Sequence, residues 1–384
     1  MSLLLESLFN GVAIGSVLLL AAIGLAIVFG LMGVINLAHG ELIMLGAYTT
    51  YVVQLVFRLP AFQAFADAYV IVAIPLAFLV SGAVGILLER TVIRRLYGSP
   101  LETLLATWGV SLILQQFVRS VALAQVAGLM LTLILGYSLP ILLPDRWWQS
   151  SRRRLLRAGT WVVAALAGFG LAGVLASSIS RISRATSRNV DVTAPSWMRG
   201  GIEAFGITLP IPRLVIIVMT VLAVVGVLWF LNRTLWGMRI RAVTQNRSMS
   251  DCLGIPTDTV DVLTFGLGSG LAGVAGVAVS LLGSVGPNVG GSYIVSCFMV
   301  VVLGGVGNLM GTVLASLAIG VMTDLIGAGR LLTLWPQMPP PLASVVQFFA
   351  TTSMAQVMVF ALIVVFLQFR PAGLFPQKGR MVEA

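Results

Sequence analysis

Long apolar runs separated by short polar breaks recur along the whole chain of 384 residues. Hydrophobic residues make up 58% of it and charged residues only 9%, whereas a soluble globular domain carries about 25% charged residues. Runs of about 18 or more apolar residues are long enough to cross a bilayer, and the period-2 alternation of a membrane β-barrel is absent from the sequence. The sequence therefore predicts an all-α polytopic membrane protein.

The polar breaks divide this single predicted transmembrane domain, residues 1–384, into about ten transmembrane or re-entrant helices. The run 292–326 is too long for one passage and is interrupted at Gly304–Asn308, so we expect two short or re-entrant pieces there. Segment 121–188 contains two runs around a loop of five arginines and is predicted to be an inserted helical hairpin. The apolar runs are 8–32, 40–57, 68–88, 101–124, 126–144, 158–179, 211–231, 262–283, 292–326 and 343–368.

Arginine accounts for nearly all of the 23 basic residues and of the net charge of +10. In a soluble protein this charge would indicate nucleic-acid binding. Here the arginines lie in short loops between apolar runs, where they set membrane topology and contact lipid headgroups. Loops 89–100, 145–157 and 232–255 and the C-terminal tail hold most of them. If all four are cytoplasmic, the N-terminus lies outside and the C-terminus inside.

The stretch Gly33–Gly46 places ionisable side chains close together just after a long apolar run. Asn36, His39 (the only histidine) and Glu41 occur within it. Ionisable groups at membrane depth are costly and tend to face a protein interior or water, and glycines permit a helix break or close helix approach. Two interpretations stay open. One is a broken helix that lines a translocation path; the other is a turn in which Asn36 and Glu41 cap helices.

A second glycine-rich stretch, Gly304–Gly311, repeats the pattern Gly-Val-x-Asn-Leu found at 33–37. Paired glycine-interrupted segments in the two halves of a transporter indicate an internal repeat around a central path. On this interpretation Asn308 joins Asn36 as a candidate path residue. Chance agreement in a chain rich in glycine, valine and leucine is the alternative.

The stretch Arg239–Gly254 is the longest polar interruption in the second half of the chain. It lies in a loop, 238–256, predicted to be cytoplasmic. A short amphipathic helix is expected there, with Val243, Met249, Leu253 and Ile255 on an apolar side and Arg241, Arg247 and Asp251 on a polar side. Such a helix can dock in a groove of another protein. A membrane-surface helix that only connects two spans is the alternative.

The sequence offers no catalytic constellation. It lacks a nucleophile paired with a base and any metal-ligand spacing, and its two cysteines form no redox or metal motif. A phosphate-binding loop needs Gly-Lys-Ser/Thr, but the only lysine, Lys378, is followed by Gly379. We therefore expect no enzymatic activity, no metal and no bound cofactor, so any ATP must be hydrolysed by another chain.

Several ordered stretches resemble the permease subunits of ATP-binding-cassette importers of the branched-chain amino acid type. They are FGLMGVINLAHGELIMLGAY (29–48), LETLLATWGVSLILQQFVRS (101–120), RAVTQNRSMSDCLGI (241–255), TFGLGSGLAGVAGV (264–277), VVLGGVGNLMGTVLASLAIG (301–320) and FRPAGLFPQKGR (369–380). The resemblance implies the permease fold of that family, in the inner membrane of a bacterium and surrounded by lipid. It further implies a second homologous permease, two cytoplasmic ATP-binding subunits and a periplasmic solute-binding protein, with no nucleic acid.

The same resemblance assigns a coupling helix, which seats in a groove of the ATPase. Its residues are Asn246, Arg247, Ser248, Met249, Ser250, Asp251, Cys252, Leu253 and Gly254. Within the family the sequence looks most like the urea importers, on the stretches 44–54, 238–255 and 292–309. A path for a small neutral polar solute needs a few hydrogen-bonding groups between smooth apolar walls, and the low intramembrane charge favours urea or an amide.

Two alternatives to urea import remain. A branched-chain amino acid is one, because helix dipoles can serve a zwitterion without charged side chains. A stand-alone channel or secondary carrier for a small polar solute is the other, from a different class of protein. Such a protein would not need a docking helix on its cytoplasmic side, so the loop 238–256 discriminates against it.

Overall fold

The computed structural model describes residues 2–58, 60–120, 189–204, 207–330 and 339–375. Residues 1–111 and 191–384 form one compact unit, and residues 112–190 form a second. The predicted hairpin, 121–188, lies outside the described residues. The helices are α1 (Ser2–Met32), α2 (His39–Phe57), α3 (Tyr69–Thr91), α4 (Pro100–Ser120), α5 (Ile211–Arg233), α6 (Leu235–Gln245), α7 (Arg247–Cys252), α8 (Thr257–Leu282), α9 (Val289–Gly304), α10 (Leu309–Gly327), α11 (Pro340–Phe349) and α12 (Thr352–Phe369).

Within the described ranges, seven helices are long and apolar enough to cross a membrane, and α9 and the residues Met354–Phe369 of α12 are shorter apolar helices. This confirms the predicted all-α polytopic fold. The predicted division of 292–326 is also found, as α9 and α10. The expectation of one continuous run over 343–368 is wrong, because α11 and α12 are separate helices. The Thr351 hydroxyl caps α12 by accepting a hydrogen bond from Met354 N, so the chain starts a new helix there.

Two helices form the centre of the first unit. The apolar windows of α1 and α8 are 83% and 89% buried, whereas the window of α5 is only 28% buried and faces outward. α8 packs against α1, α2 and α3 through small residues; its Gly268 lies against the backbone of Gly24, and its Gly273 lies against Ala77. Without a hydrophobic driving force between helices in lipid, such close backbone approach is what holds them together.

A short β-hairpin precedes α5. Strand β1 (Gly201–Ala204) pairs antiparallel with β2 (Ile207–Pro210), and the sequence did not lead us to expect strands there. The segment just before it covers the ends of α2 and α3. Gln54 Nε2 and Tyr69 Oη both donate to the carbonyl oxygen of Thr193 at 2.8 Å.

The two termini of the described bundle lie at opposite ends. At one end, Ser7 Oγ at the start of α1 donates to Asp324 Oδ2 near the end of α10, at 2.7 Å. At the other end, Leu374 N donates to Leu303 O at the end of α9, at 2.8 Å. The loop with α6 and α7 also lies at this second end, since Ile27 of α1 packs in one apolar cluster with residues of α6.

Candidate coupling helix and translocation path

The loop helix α7 is defined by its two end residues. Asn246 takes an extended conformation and its Oδ1 accepts a hydrogen bond from Met249 N at 3.0 Å, which makes it the N-cap. At the other end Gly254 has a φ of +78°, the left-handed conformation that commonly ends a helix. The helix proper therefore covers only Arg247–Cys252 of the predicted Asn246–Gly254, and the remaining residues form its cap and its closing turn.

The apolar residues of this loop face two directions, not one as the sequence pattern indicated. Met249 and Leu253 are 58% and 73% exposed. Val243 and Ile255 instead pack into an apolar cluster with Val260 of α8. An exposed apolar pair at a loop tip is what a helix docking in a partner's groove presents, while the inward pair fixes the loop to the bundle.

Arg247 attaches α7 to the membrane helices. Its Nη2 lies 2.5 Å from Oδ2 of Asp261 in α8, whose side chain is only 3% exposed. The same guanidinium lies over the ring of Tyr97, 4.8 Å from its centroid. Tyr97 belongs to the connection between α3 and α4, so one arginine side chain bridges three parts of the chain.

We call Glu89, Tyr97, Arg247 and Asp261 the anchor cluster. Glu89 lies near the end of α3, is fully buried, and has the Tyr97 hydroxyl as its neighbour. Burial raises the pKa of the Tyr97 hydroxyl, and the nearby charges of Asp261 and Glu89 raise it further, so this hydroxyl remains protonated. Sequence analysis identified Arg247 but missed the other three members of the cluster. An acid such as Asp261, placed inside an apolar run, was the available signal.

The first predicted path stretch is a helix break that turns back into the bundle. Gly33 ends α1 with a φ of +69°. His39 at the start of α2 then donates from Nε2 to the carbonyl oxygen of Ala21 at 2.9 Å. Ala21 lies 11 residues before the end of α1 at Met32, about 16 Å along the helix axis. α2 therefore begins alongside the middle of the apolar part of α1.

The second stretch takes a similar local form. Gly305 follows the end of α9 with a φ of +100°, and Gly307 lies against Gly30 in the last turn of α1. The other end of α9 meets the first break, because the backbones of Gly290 and Gly40 touch and leave no room for a Cβ on either residue. The two glycine-interrupted segments, which the sequence pattern indicated as an internal repeat, are thus linked through α1 and α9.

The four predicted path residues are held by contacts within the protein. Asn36, His39 and Glu41 are 1%, 0% and 2% exposed. Asn36 Oδ1 accepts from Ala38 N at 3.0 Å, and Glu41 Oε1 accepts from Ser111 Oγ at 3.1 Å. Asn308 caps α10, with its Oδ1 accepting from Gly311 N at 3.1 Å. These contacts give each residue a structural role, and contact with solute stays a prediction.

A cavity of about 250 Å³ lies between α1, α9, α10 and α12, beside the end of α8. It lies next to the Gly40–Gly290 contact, since α9 contributes residues that follow Gly290 directly. No charged side chain is among its lining residues, and sequence analysis did not single out its polar ones. The lining residues are Ile14, Val17, Leu18, Leu282, Ser292, Tyr293, Ser296, Ile319, Thr323, Gln356, Val359 and Phe360. In the part of the chain that the structure describes, no three His, Cys, Asp or Glu side chains converge on a metal-sized site.

Interrupted helices that begin at membrane depth are typical of polytopic transport proteins. A family model described as "Branched-chain amino acid transport system / permease component" matches residues 7–367, and the chain belongs to this family. It is thus a permease, the transmembrane component of ATP-binding-cassette importers. Membership of the urea branch finds no support in the comparisons.

Curated relatives match nearly the whole chain. The high-affinity branched-chain amino acid transport system permease protein LivH of Salmonella typhimurium strain LT2 is 26% identical over 379 residues, which cover 96% of this chain and 94% of that protein. LivH of Escherichia coli K12 is 26% identical over 376 residues, with the same coverage. BraD of Pseudomonas aeruginosa PAO1, from the same type of system, is 27% identical over 319 residues, covering 83% of this chain and 84% of BraD. No solved structure matches the chain.

Proposed function

We propose that this chain is the permease subunit through which an ATP-driven importer moves branched-chain amino acids into a bacterial cell. The relatives that support the substrate carry this transport system in their names and match four fifths or more of the chain. The urea interpretation depends on the sequence similarity of three short stretches and has no such support. An aliphatic amino acid therefore takes its place as the expected solute.

The observation that carries the coupling mechanism is the two-sided attachment of α7. Its exposed Met249 and Leu253 are available to a partner, while Arg247 on its inner side pairs with the buried Asp261. Removing the cation from the buried Asp261 carboxylate costs about 1–3 kcal/mol, because Arg247 is half-exposed, so the pair resists separation when α7 is displaced. A cytoplasmic ATPase that moves α7 would therefore move α8, and through the anchor cluster also α3.

The remaining partners and the orientation follow from the same assignment. A second homologous permease, two ATP-binding subunits and a periplasmic solute-binding protein complete the importer. Arginine in the loops favours a cytoplasmic C-terminus and an external N-terminus. The bundle is compatible with this, because its N-terminal end lies opposite the loop that contains α7.

The proposal is tested by uptake of labelled leucine and labelled urea in cells that carry the importer with or without this chain. A double variant, Met249→Ala with Leu253→Ala, should reduce ATP-driven leucine uptake at least tenfold, because it removes the docking surface. Leu222→Ala with Val225→Ala is the matched control: these side chains of α5 are 66% and 57% exposed, and uptake should stay near the original rate.

Each failure has a distinct meaning. Uptake of urea but not leucine would reject the substrate. Normal leucine uptake in the α7 variant would reject the coupling role of that helix. Solute flux through the reconstituted chain alone, without ATP, would instead favour a stand-alone channel.

A further inference from the structure

The cavity beside α9 is lined by polar side chains that have no hydrogen-bond partner among the described residues. Most hydroxyls on the neighbouring helices bond to their own helix; Thr323 Oγ1, for example, donates to Ile319 O at 2.7 Å. By contrast, the side chains of Tyr293, Ser296 and Gln356 make no hydrogen bond to any other described residue. Ser296 is only 7% exposed. Buried polar groups are nearly always hydrogen-bonded, so the Ser296 hydroxyl must bond to water or to a solute.

Other residues that line the same cavity are aliphatic. Ile14 and Leu18 of α1 contribute to it, together with Ile319 of α10 and Val359 of α12. The volume of about 250 Å³ falls just below the roughly 300–1,000 Å³ typical of pockets for drug-sized ligands. A ligand of amino-acid size with one polar end and one branched apolar end matches both the size and the mixed polar and aliphatic lining.

The position of the cavity favours a carboxylate at the polar end. Ser292 lies in the first turn of α9, where the positive end of the helix dipole stabilises an anion. The nearby charged groups already have partners, since Arg330 pairs with Glu6 at 3.1 Å and with Asp324 at 3.8 Å. Recognition inside the cavity is therefore left to hydroxyls, an amide and a helix end.

We propose that this cavity is a holding site for the transported solute, an aliphatic amino acid. Its polar end bonds to Tyr293, Ser296 and Gln356, and its side chain packs against Ile14 and Leu18. This inference rests on the proposed function, because it takes the substrate class from it. The backbone contact between Gly40 and Gly290 places the site near the motif that contains His39 and Glu41.

Binding of labelled leucine to the purified permease–ATPase complex in nanodiscs, without the solute-binding protein, tests the site directly. Ser296→Ala and Gln356→Leu should each raise the Kd by roughly 2- to 12-fold, the effect of losing one hydrogen bond. Ser296→Leu also fills the cavity and should lower both leucine binding and leucine uptake at least tenfold. Ser316→Ala is the matched control, because this buried hydroxyl already bonds to Val313 O at 2.8 Å, and the Kd should not change.

Normal leucine uptake by an assembled Ser296→Leu complex would overturn the holding site while leaving the proposed function intact. If the original complex itself takes up no leucine, the proposed function fails first and the amino-acid site fails with it. Should Ser296→Leu not assemble with the ATPase, Gln356→Leu decides, since Gln356 is exposed and its replacement should not disturb folding. Unchanged leucine binding in that variant would refute the proposal.

Discussion

Replacing Arg247 by alanine should disconnect the loop helix from the membrane helices. The change leaves the Asp261 side chain, 3% exposed, without its cation, whereas the Arg247 side chain that departs was 45% exposed. Breaking a fully buried pair costs about 3–5 kcal/mol and breaking an exposed one about 0.2–1 kcal/mol. Because water can enter where the arginine stood, we expect an intermediate cost of about 1–3 kcal/mol, which is a factor of about 5 to 150 in an equilibrium constant.

Arg247 and Asp261 differ in solvent exposure, and this difference makes the prediction specific. In Asp261→Asn, the half-exposed arginine stays hydrated, so the cost should be at most about 1 kcal/mol. Adding Asp261→Asn to Arg247→Ala removes the stranded carboxylate and should restore part of the lost function. The measurements are ATP-driven leucine uptake and the thermal stability of the purified complex, in all four members of the double-mutant cycle.

One result would refute the reasoning about the anchor cluster. If the two substitutions were additive, so that the double variant lost as much as both single variants combined, Arg247 and Asp261 would not act through each other. The attachment of α7 to α8 would then have to come from other contacts, such as the hydrogen bond from Thr257 Oγ1 to Asp251 Oδ1 at 3.3 Å and the apolar packing of Ile255.

Two further predictions concern the helix contact and the topology. Gly40→Ala should lower the thermal stability of the complex by about 1–3 kcal/mol, because its Cβ meets the backbone of Gly290; Gly109→Ala, with nothing within 4 Å, should not. A decrease in both variants, or in neither, would contradict the close contact. A membrane-impermeant maleimide should label the exposed Cys252 in inside-out vesicles but not in intact spheroplasts, and should leave the buried Cys297 unlabelled on both sides. Labelling of Cys252 from the outside would reverse the predicted orientation.

The sequence alone was sufficient to predict the local structure where one residue pattern decides it. Apolar length located the membrane helices, and the glycines at 33 and 305 located the two breaks, because only a left-handed turn fits there. It was not sufficient at Thr351, where a single capping hydroxyl interrupts an otherwise continuous apolar run. The length and composition of an apolar run do not show where a capping residue inside it starts a new helix.

The site was less predictable, because it is assembled from residues distant in sequence. Arg247 could be placed on a loop helix, but its partners Tyr97 and Asp261 become neighbours only once α3 and α8 are packed. The cavity shows the same limitation. A serine or glutamine in an apolar run usually bonds to its own helix or a neighbour. Only the packed structure shows that Ser296 and Gln356 bond to none of the residues that it describes.

A single helix connects the two sites. α8 carries Asp261 of the anchor cluster near its first turn, and its last residue, Leu282, lines the cavity. Leu282 follows Asp261 by 21 positions, which correspond to about 32 Å along the helix axis. Along that length α8 packs closely against its neighbours through glycines such as Gly273. A displacement applied to α7 would reach the cavity wall through this one rigid element, which would give the proposed coupling helix and the proposed holding site a common mechanical basis.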